Sequence, residues 1–254
     1  MKEIKPVKDI GFCGVDSGQI LIVDPKLFSE NWSEEEFQDE RKYIHKETGD
    51  RLNYQEHFAS FAAILEPYGK DMNAMIKAEE VMLLPRTPAK EVLSYNSCCL
   101  ATLESAFGIL GDGIAVATRT GVGDGSYHVF PLETKDGVQK GVQIVFLEEF
   151  DITKALTDCE GEIKCESGMI MFADPCYSRS QENLTPEAIA LKMNATRGKG
   201  AAQLNYDKGH EGLGVLVEAE IGNYDVYIHN EEYIPEGDSW GERVFGVVLV
   251  KSED

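Results

Sequence analysis

The chain repeats itself. Asp16-Ser17-Gly18-Gln19-Ile20-Leu21-Ile22-Val23-Asp24-Pro25 returns 150 residues later as Glu166-Ser167-Gly168-Met169-Ile170-Met171-Phe172-Ala173-Asp174-Pro175. Ser17/Ser167, Gly18/Gly168, Ile20/Ile170, Asp24/Asp174 and Pro25/Pro175 are identical between the copies. A match of this density predicts two copies of one fold unit, and the interface between two such copies is a natural place for a binding site.

Each copy of the motif reads as a buried strand. Gln19 to Val23 and Met169 to Ala173 are apolar runs, flanked by Ser-Gly before and Asp-Pro after. Proline cannot donate to a sheet ladder, so the strand ends at the Asp-Pro. Glycine-rich turns later separate three short β runs in each half. In the first half these are Ile114–Thr118, Ser126–Phe130 and Val142–Leu147. In the second they are Gly214–Val217, Val226–His229 and Val244–Val250. The spacing predicts a three-strand antiparallel meander in each copy.

An ungapped shift of 101 residues aligns these meanders, matching Gly113/Gly214, Val116/Val217, Asp124/Asp225 and His128/His229, together with Ala101/Ala202 and Leu103/Leu204. The first copy carries an insertion over about 27–95. Ser33 with Glu36 forms a capping box for a helix to about Lys46, Asn53 can cap a second carrying Phe58, Phe61, Ile64 and Leu65, and Asp71 can cap a third through Leu83. In the second copy a shorter helix is expected from Thr185-Pro186-Glu187 to about Asn194.

The expected fold is therefore α+β and mainly antiparallel β. Two β-rich repeats are related by a pseudo-twofold, 10–150 with the helical insertion and 160–252, and they share one core as a single domain.

Charge narrows the partners. Against 24 basic residues stand 45 acidic ones, a net charge of −21. Such a chain does not present the clustered Lys and Arg that a phosphate backbone or an anionic membrane surface needs. A small molecule, a cationic ligand or a basic protein partner fits better. The six cysteines, 13, 98, 99, 159, 165 and 176, form no Cys-x2-Cys pair. With no apolar run of signal-peptide or membrane-span length, free thiols in a cytoplasmic protein are the expectation.

The candidate site residues come from the repeats. Asp124-x3-His128 and Asp225-x3-His229 place the same two residue types at matching positions, suited to metal ligation or acid–base work if the turn folds back. Otherwise each Asp serves a hairpin turn and each His faces solvent or packs on the sheet. Asp24 and Asp174 are related by the repeat and can flank one site, or can each bond the backbone after the strand. Asp16 and Glu166 add a carboxylate at the other end of each strand. The binding set is thus Asp16, Asp24, Asp124, His128, Glu166, Asp174, Asp225 and His229, with no catalytic residue, metal or cofactor specified.

Three further features carry less. Gly121-Val122-Gly123-Asp124-Gly125 has no following helix and no Lys, so it reads as a tight turn and not a phosphate loop. Cys98, Cys99 and Cys176 are thiols for which His128 is the available base, although spacing does not join them. Glu30, Glu34, Glu35, Glu36, Asp39 and Glu40 form an acidic stretch that reads as a solvated face or a phosphate mimic.

The strand motif Asp16–Pro25, its variant Asp174-Pro175-Cys176-Tyr177 and the later Gly121–Val129 together resemble a set of uncharacterised proteins of bacteria and their phages. The resemblance covers about a quarter of the chain. It implies a bacterial or phage setting and transfers no activity. The leading expectation is a non-catalytic binding protein for a small ligand or protein partner. A metal-assisted hydrolase using the duplicated Asp and His residues, and an acidic decoy for a nucleic-acid-binding protein, are the alternatives.

Overall fold

The structure is a computed structural model and describes residues 4–35, 37, 41–84, 92–180, 201–206, 210–235 and 241–253. The helix expected at 185–194 lies outside them, as do Glu36, Asp39 and Glu40 of the acidic stretch.

In chain order the strands are β1 (Ile4–Pro6), β2 (Gly11–Val15), β3 (Gln19–Val23), β4 (Trp32–Ser33), β5 (Lys42–His45), β6 (Arg51–Asn53), β7 (Ile64–Leu65), β8 (Lys70–Asp71), β9 (Val81–Leu83), β10 (Leu93–Ser94), β11 (Phe107–Leu110), β12 (Ala115–Arg119), β13 (Gly125–Thr134), β14 (Gln139–Val145), β15 (Cys159–Cys165), β16 (Met169–Ala173), β17 (Ala201–Tyr206), β18 (His210–Glu218), β19 (Gly222–Glu232) and β20 (Glu242–Lys251). The helices are α1 (Pro25–Asn31), α2 (Met72–Lys77), α3 (Tyr95–Glu104) and α4 (Ile152–Ala155), with a 3-10 turn over Pro175–Ser180. The fold is α+β and mostly antiparallel, as the strand patterning indicates.

The chain divides into two compact units. One comprises residues 1–36 and 88–254, the other 37–87. The larger unit holds two main sheets. The first runs β1-β13-β14-β20-β19-β15, with β2 also pairing along β13; the second runs β11-β12-β3-β16-β18-β17. In each, strands from before residue 150 occupy one half and strands from after it the other. The halves meet at β14–β20 in the first sheet and at β3–β16 in the second.

Between the two sheets lies the principal core. It takes Ile20, Ile22, Val129 and Ile144 from the first half of the chain and Ile170, Phe172, Val226 and Leu249 from the second, all fully buried. Alternation along β3 and β16 sends Leu21, Val23, Met171 and Ala173 to the opposite face, where they pack with Phe28, Leu93, Cys98 and Ala101. Both faces of these strands are therefore apolar, which is why each motif reads as an unbroken hydrophobic run and not an alternating one. On the other side of the first sheet, Leu132, Tyr227, Val248 and Val250 pack with Ala155 of α4 and its neighbours Phe150, Ile152 and Leu156.

The expected three-strand meanders do not form. β12 lies in the second sheet and β13 in the first, so the turn between them carries the chain from one layer to the other. Gly121 lies in this turn with φ +43°, and a Cβ there would press on Leu147 and Phe146 at 3.1–3.2 Å. The crossing requires glycine because the chain passes flush against the neighbouring layer. Only β13–β14 and β19–β20 are hairpin partners within each expected run of three.

The insertion is also not the run of helices expected over 27–95. In the 37–87 unit, β6-β5-β9 form a three-stranded sheet and β7–β8 a hairpin, leaving α2 as its single described helix. Gly49, at φ +76°, closes the β5–β6 hairpin where the sequence suggested a helix stop. Gln55 at φ +66° interrupts the helix expected from Asn53. Aromatic packing supplies what helical hydrogen bonds would have: Phe58 lies within 6.4 Å, centroid to centroid, of Tyr43, Tyr54 and Phe61. The third expectation holds in part, since Asp71 caps α2 by accepting from Ala74 N at 2.7 Å. That helix stops early, before the left-handed Glu79.

Candidate functional site

At the β3–β16 junction the motif carboxylates are fully committed. Asp24 is completely buried. Its Oδ1 caps α1, accepting from Lys26 N at 2.7 Å and Leu27 N at 3.1 Å, with Pro25 inside the first turn. Its Oδ2 reaches the other half of the chain and accepts from Glu166 N and Ser167 N, both at 2.6 Å, and from Ser167 Oγ at 2.9 Å. Asp174, equally buried, mirrors this. Its Oδ2 accepts from Asp16 N at 2.7 Å and Ser17 N at 3.0 Å, and its Oδ1 from Ser17 Oγ and Cys176 N. Burial pushes the Asp174 carboxyl up, opposed by these same hydrogen bonds.

Asp16 and Glu166 stand above the same turns. Asp16 accepts from the Tyr177 hydroxyl at 2.6 Å, and Glu166 pairs with Lys26 at 2.7 Å. The four motif carboxylates therefore gather into two places, Asp24 with Glu166 and Asp174 with Asp16. They are set at opposite ends of the β3–β16 pair, which the ladder register separates by roughly 13 Å. One shared two-carboxylate site is not what this arrangement builds.

The Asp/His matches separate. Asp124 is exposed in the layer-crossing turn. His128, also exposed, bonds Asp9 through Nδ1 at 2.6 Å. His229 is buried, stacked on Phe245 with centroids 4.6 Å apart, and its Nδ1 accepts from Asp151 N at 3.2 Å. Its Nε2 lies 3.3 Å from Glu231. Asp225 accepts from Ser252 Oγ at 2.8 Å.

The ladders explain why the sequence match misleads. Gly125, Tyr127 and Val129 on β13 oppose Val15, Cys13 and Gly11, while Gly222, Tyr224 and Val226 on β19 oppose Cys165, Ile163 and Gly161. Position for position, Tyr127 corresponds to Tyr224, and His128 to Asp225. Each tyrosine is buried and donates its hydroxyl to the carbonyl four residues back, Tyr127 to Gly123 at 2.5 Å and Tyr224 to Glu220 at 3.0 Å. The recurring Gly-x-Tyr-x-Val was visible in the sequence, but a gapless comparison passes over it because the preceding turns differ in length. Ala202 and Leu204 likewise lie on β17, whereas Ala101 and Leu103 lie on α3.

Of the expected residues, Asp225 lines a cleft. This cavity of about 600 Å³ lies at one end of the first sheet, among Thr134, Lys140, Glu220, Asp225, Tyr227 and Ser252. Lys140 and Glu220 face each other at 3.8 Å. Nothing in the sequence marks these residues as neighbours, since they come from three strands, the β18–β19 connection and the segment after β20. A second cleft of about 800 Å³ lies within the 37–87 unit, between Asp50, His57, Ile64 and Tyr68.

Among the described residues no three His, Cys, Asp or Glu side chains gather as a metal site, and no helix is long and apolar enough to cross a membrane. No protein-family model matches the chain, and none of the curated proteins or solved structures matches it.

Proposed function

We propose that the chain is a non-catalytic binding protein of the bacterial or phage cytoplasm, and that its ligand is a small amine-bearing molecule held in the cleft around Asp225. The observation that carries this reading is the cleft itself, which has the size of a small-molecule site and contains a carboxylate fixed by a neighbouring hydroxyl. An ammonium group suits that carboxylate, and a net charge of −21 draws cations toward it. Lys140, on the same wall, offers a counter-charge to an acidic group on the ligand. The buried carboxylates of the repeat speak for scaffold and not chemistry, because backbone amides occupy their oxygens.

Within this reading the two halves descend from one doubled β unit. The matching strand orders, the exchanged carboxylates and the paired tyrosines support that origin.

The test is calorimetric titration of the full chain with amino acids, diamines, polyamines and betaines. Saturable binding of one member, weakened at least tenfold in Asp225→Asn, is the expected result. If no member binds, or if Asp225→Asn binds equally well, the reading is wrong.

A further inference from the structure

The cleft around Asp225 shares its floor with an apolar layer. Ile4, Tyr227 and Val250 line the cleft. The same three belong to the layer through which α4 packs on the first sheet, Tyr227 and Val250 as buried members and Ile4 packed against them. Toward α4 that layer is covered by Ile152, Ala155 and Leu156. At the cleft its end is open.

The ladders fix the charges relative to this floor. Asp225 and Tyr227 are two residues apart on β19 and point to the same face, about 7 Å from each other along the strand. Val250 on β20 lies directly opposite Asp225, and Gly141 on β14 lies directly opposite Val250. Lys140 therefore starts two strand spacings from Asp225, about 10 Å across the sheet. In the β13–β14 ladder Leu132 opposes Gly141 and Glu133 opposes Gln139, so Lys140 is the extra residue of a bulge. Its ammonium is only loosely tied, 3.8 Å from Glu220, with 39% of the side chain exposed. A pair this open holds its lysine weakly, and the ammonium can turn to a ligand.

We propose, building on the assignment of this cleft to an amine ligand, that the ligand is a free α-amino acid with an apolar side chain, of the leucine or phenylalanine kind. Its ammonium pairs with Asp225, its carboxylate pairs with Lys140, and its side chain lies on Tyr227, Val250 and Ile4. The spacing suits this occupant. The two charges of an α-amino acid are about 3 Å apart, and a charged hydrogen bond at each end extends the span to about 8–9 Å. The length of the lysine side chain covers the rest. Other amines fit less well. A diamine or polyamine sets a second cation against Lys140, and a betaine brings no side chain to the floor.

The experiment is calorimetric titration of the full chain with L-leucine and L-phenylalanine, compared with L-alanine, putrescine, spermidine, glycine betaine and phenethylamine. Leucine or phenylalanine should bind saturably and at least tenfold more tightly than alanine, as burial of one apolar side chain requires. Phenylalanine should bind at least fivefold more tightly than phenethylamine, which lacks the carboxylate. That advantage should disappear in Lys140→Met, a change at an exposed side chain outside the core. Asp225-dependent binding of putrescine, spermidine or betaine, without comparable binding of leucine or phenylalanine, would overturn the apolar amino acid and keep the amine site. Alanine binding as tightly as leucine, phenethylamine binding as tightly as phenylalanine, or an advantage unchanged in Lys140→Met would each overturn it as well. Silence from every compound would remove the amine site and its refinement together.

Discussion

Ile22 sits directly opposite Phe172 at the centre of the β3–β16 ladder, and the pairing reads the same outward from either strand. Val23 opposes Met171 on one side, and Leu21 opposes Ala173 on the other. The β14–β20 ladder behaves alike around Gln143 and Val248, with Val142 opposite Leu249 and Ile144 opposite Val247. Each half of the chain thus supplies half of both sheets, and the halves meet once in each. Asp24 and Asp174 lock this arrangement, because each caps its own following turn with one oxygen and the opposite half's strand-entry turn with the other.

Removing either carboxylate leaves several N–H groups, most of them part-buried, without an acceptor. Asp24→Ala and Asp174→Ala should each lower stability by about 2–4 kcal/mol. Urea denaturation checks this; a loss below 1 kcal/mol for both would mean that the exchanged hydrogen bonds do not hold the junction.

Two glycines lie on the β14–β20 junction where an added Cβ would meet backbone. A Cβ on Gly141 would lie 2.1 Å from the Leu249 carbonyl oxygen, and one on Gly246 would lie 2.7 Å from the Ile144 carbonyl oxygen. Both carbonyls are backbone, and at Gly246 the Phe150 ring crowds the same space at 2.6 Å. Gly141→Ala and Gly246→Ala should each cost about 3 kcal/mol or more, or prevent soluble expression. Gly137→Ala is the control. It has open space around it and only its φ of +76° to oppose substitution, so about 1 kcal/mol is expected.

Tyr224→Phe deletes one hydroxyl bond and leaves the Glu220 carbonyl short of a donor; Tyr127→Phe deletes two, to Gly123 and to Thr120, while the Gly123 carbonyl keeps the Thr120 hydroxyl. Losses of about 1–2 kcal/mol, similar at the two sites, should appear in thermal or urea melts. Strongly unequal losses would argue that the two tyrosines do not play corresponding roles.

Burial pushes the Cys165 thiol up to about 11 from its ordinary 9.0. The folded protein therefore holds that proton more tightly than the unfolded chain. The associated stability is present below pH 9 and is lost as the pH rises through 11. In iodoacetamide labelling near pH 8, exposed Cys159 should react readily while Cys165 stays unmodified until the protein unfolds. Equal labelling of both would contradict the burial.

The core strands were legible because their chemistry is local. Ile20 to Val23 and Ile170 to Ala173 are apolar on both faces, and Asp-Pro ends them. Hydrophobic periodicity could not say which sheet a strand would join, so β12 and β13 read as neighbours although Gly121 sends them to different layers. The insertion misled for another reason. Ser33, Asn53 and Asp71 all offer caps, but Tyr43, Tyr54, Phe58 and Phe61 gain more by clustering across short strands than by lining helices. In the candidate site, the bonds of Asp24 and Asp174 to the backbone just after their strands were legible, and their bonds across the junction were not, since those amides are more than 140 residues away. Asp225 matches Asp124 along the chain but not in the ladders, and the cleft it lines has no signature in the chain.

Amide hydrogen exchange on Asp24→Ala tests the exchanged-carboxylate arrangement most directly. Faster exchange is predicted at Lys26 and Leu27 and also at Glu166 and Ser167, in the other half of the chain. If exchange accelerates only around Lys26 and Leu27 while Glu166 and Ser167 keep their native protection, the two halves are not held together as described.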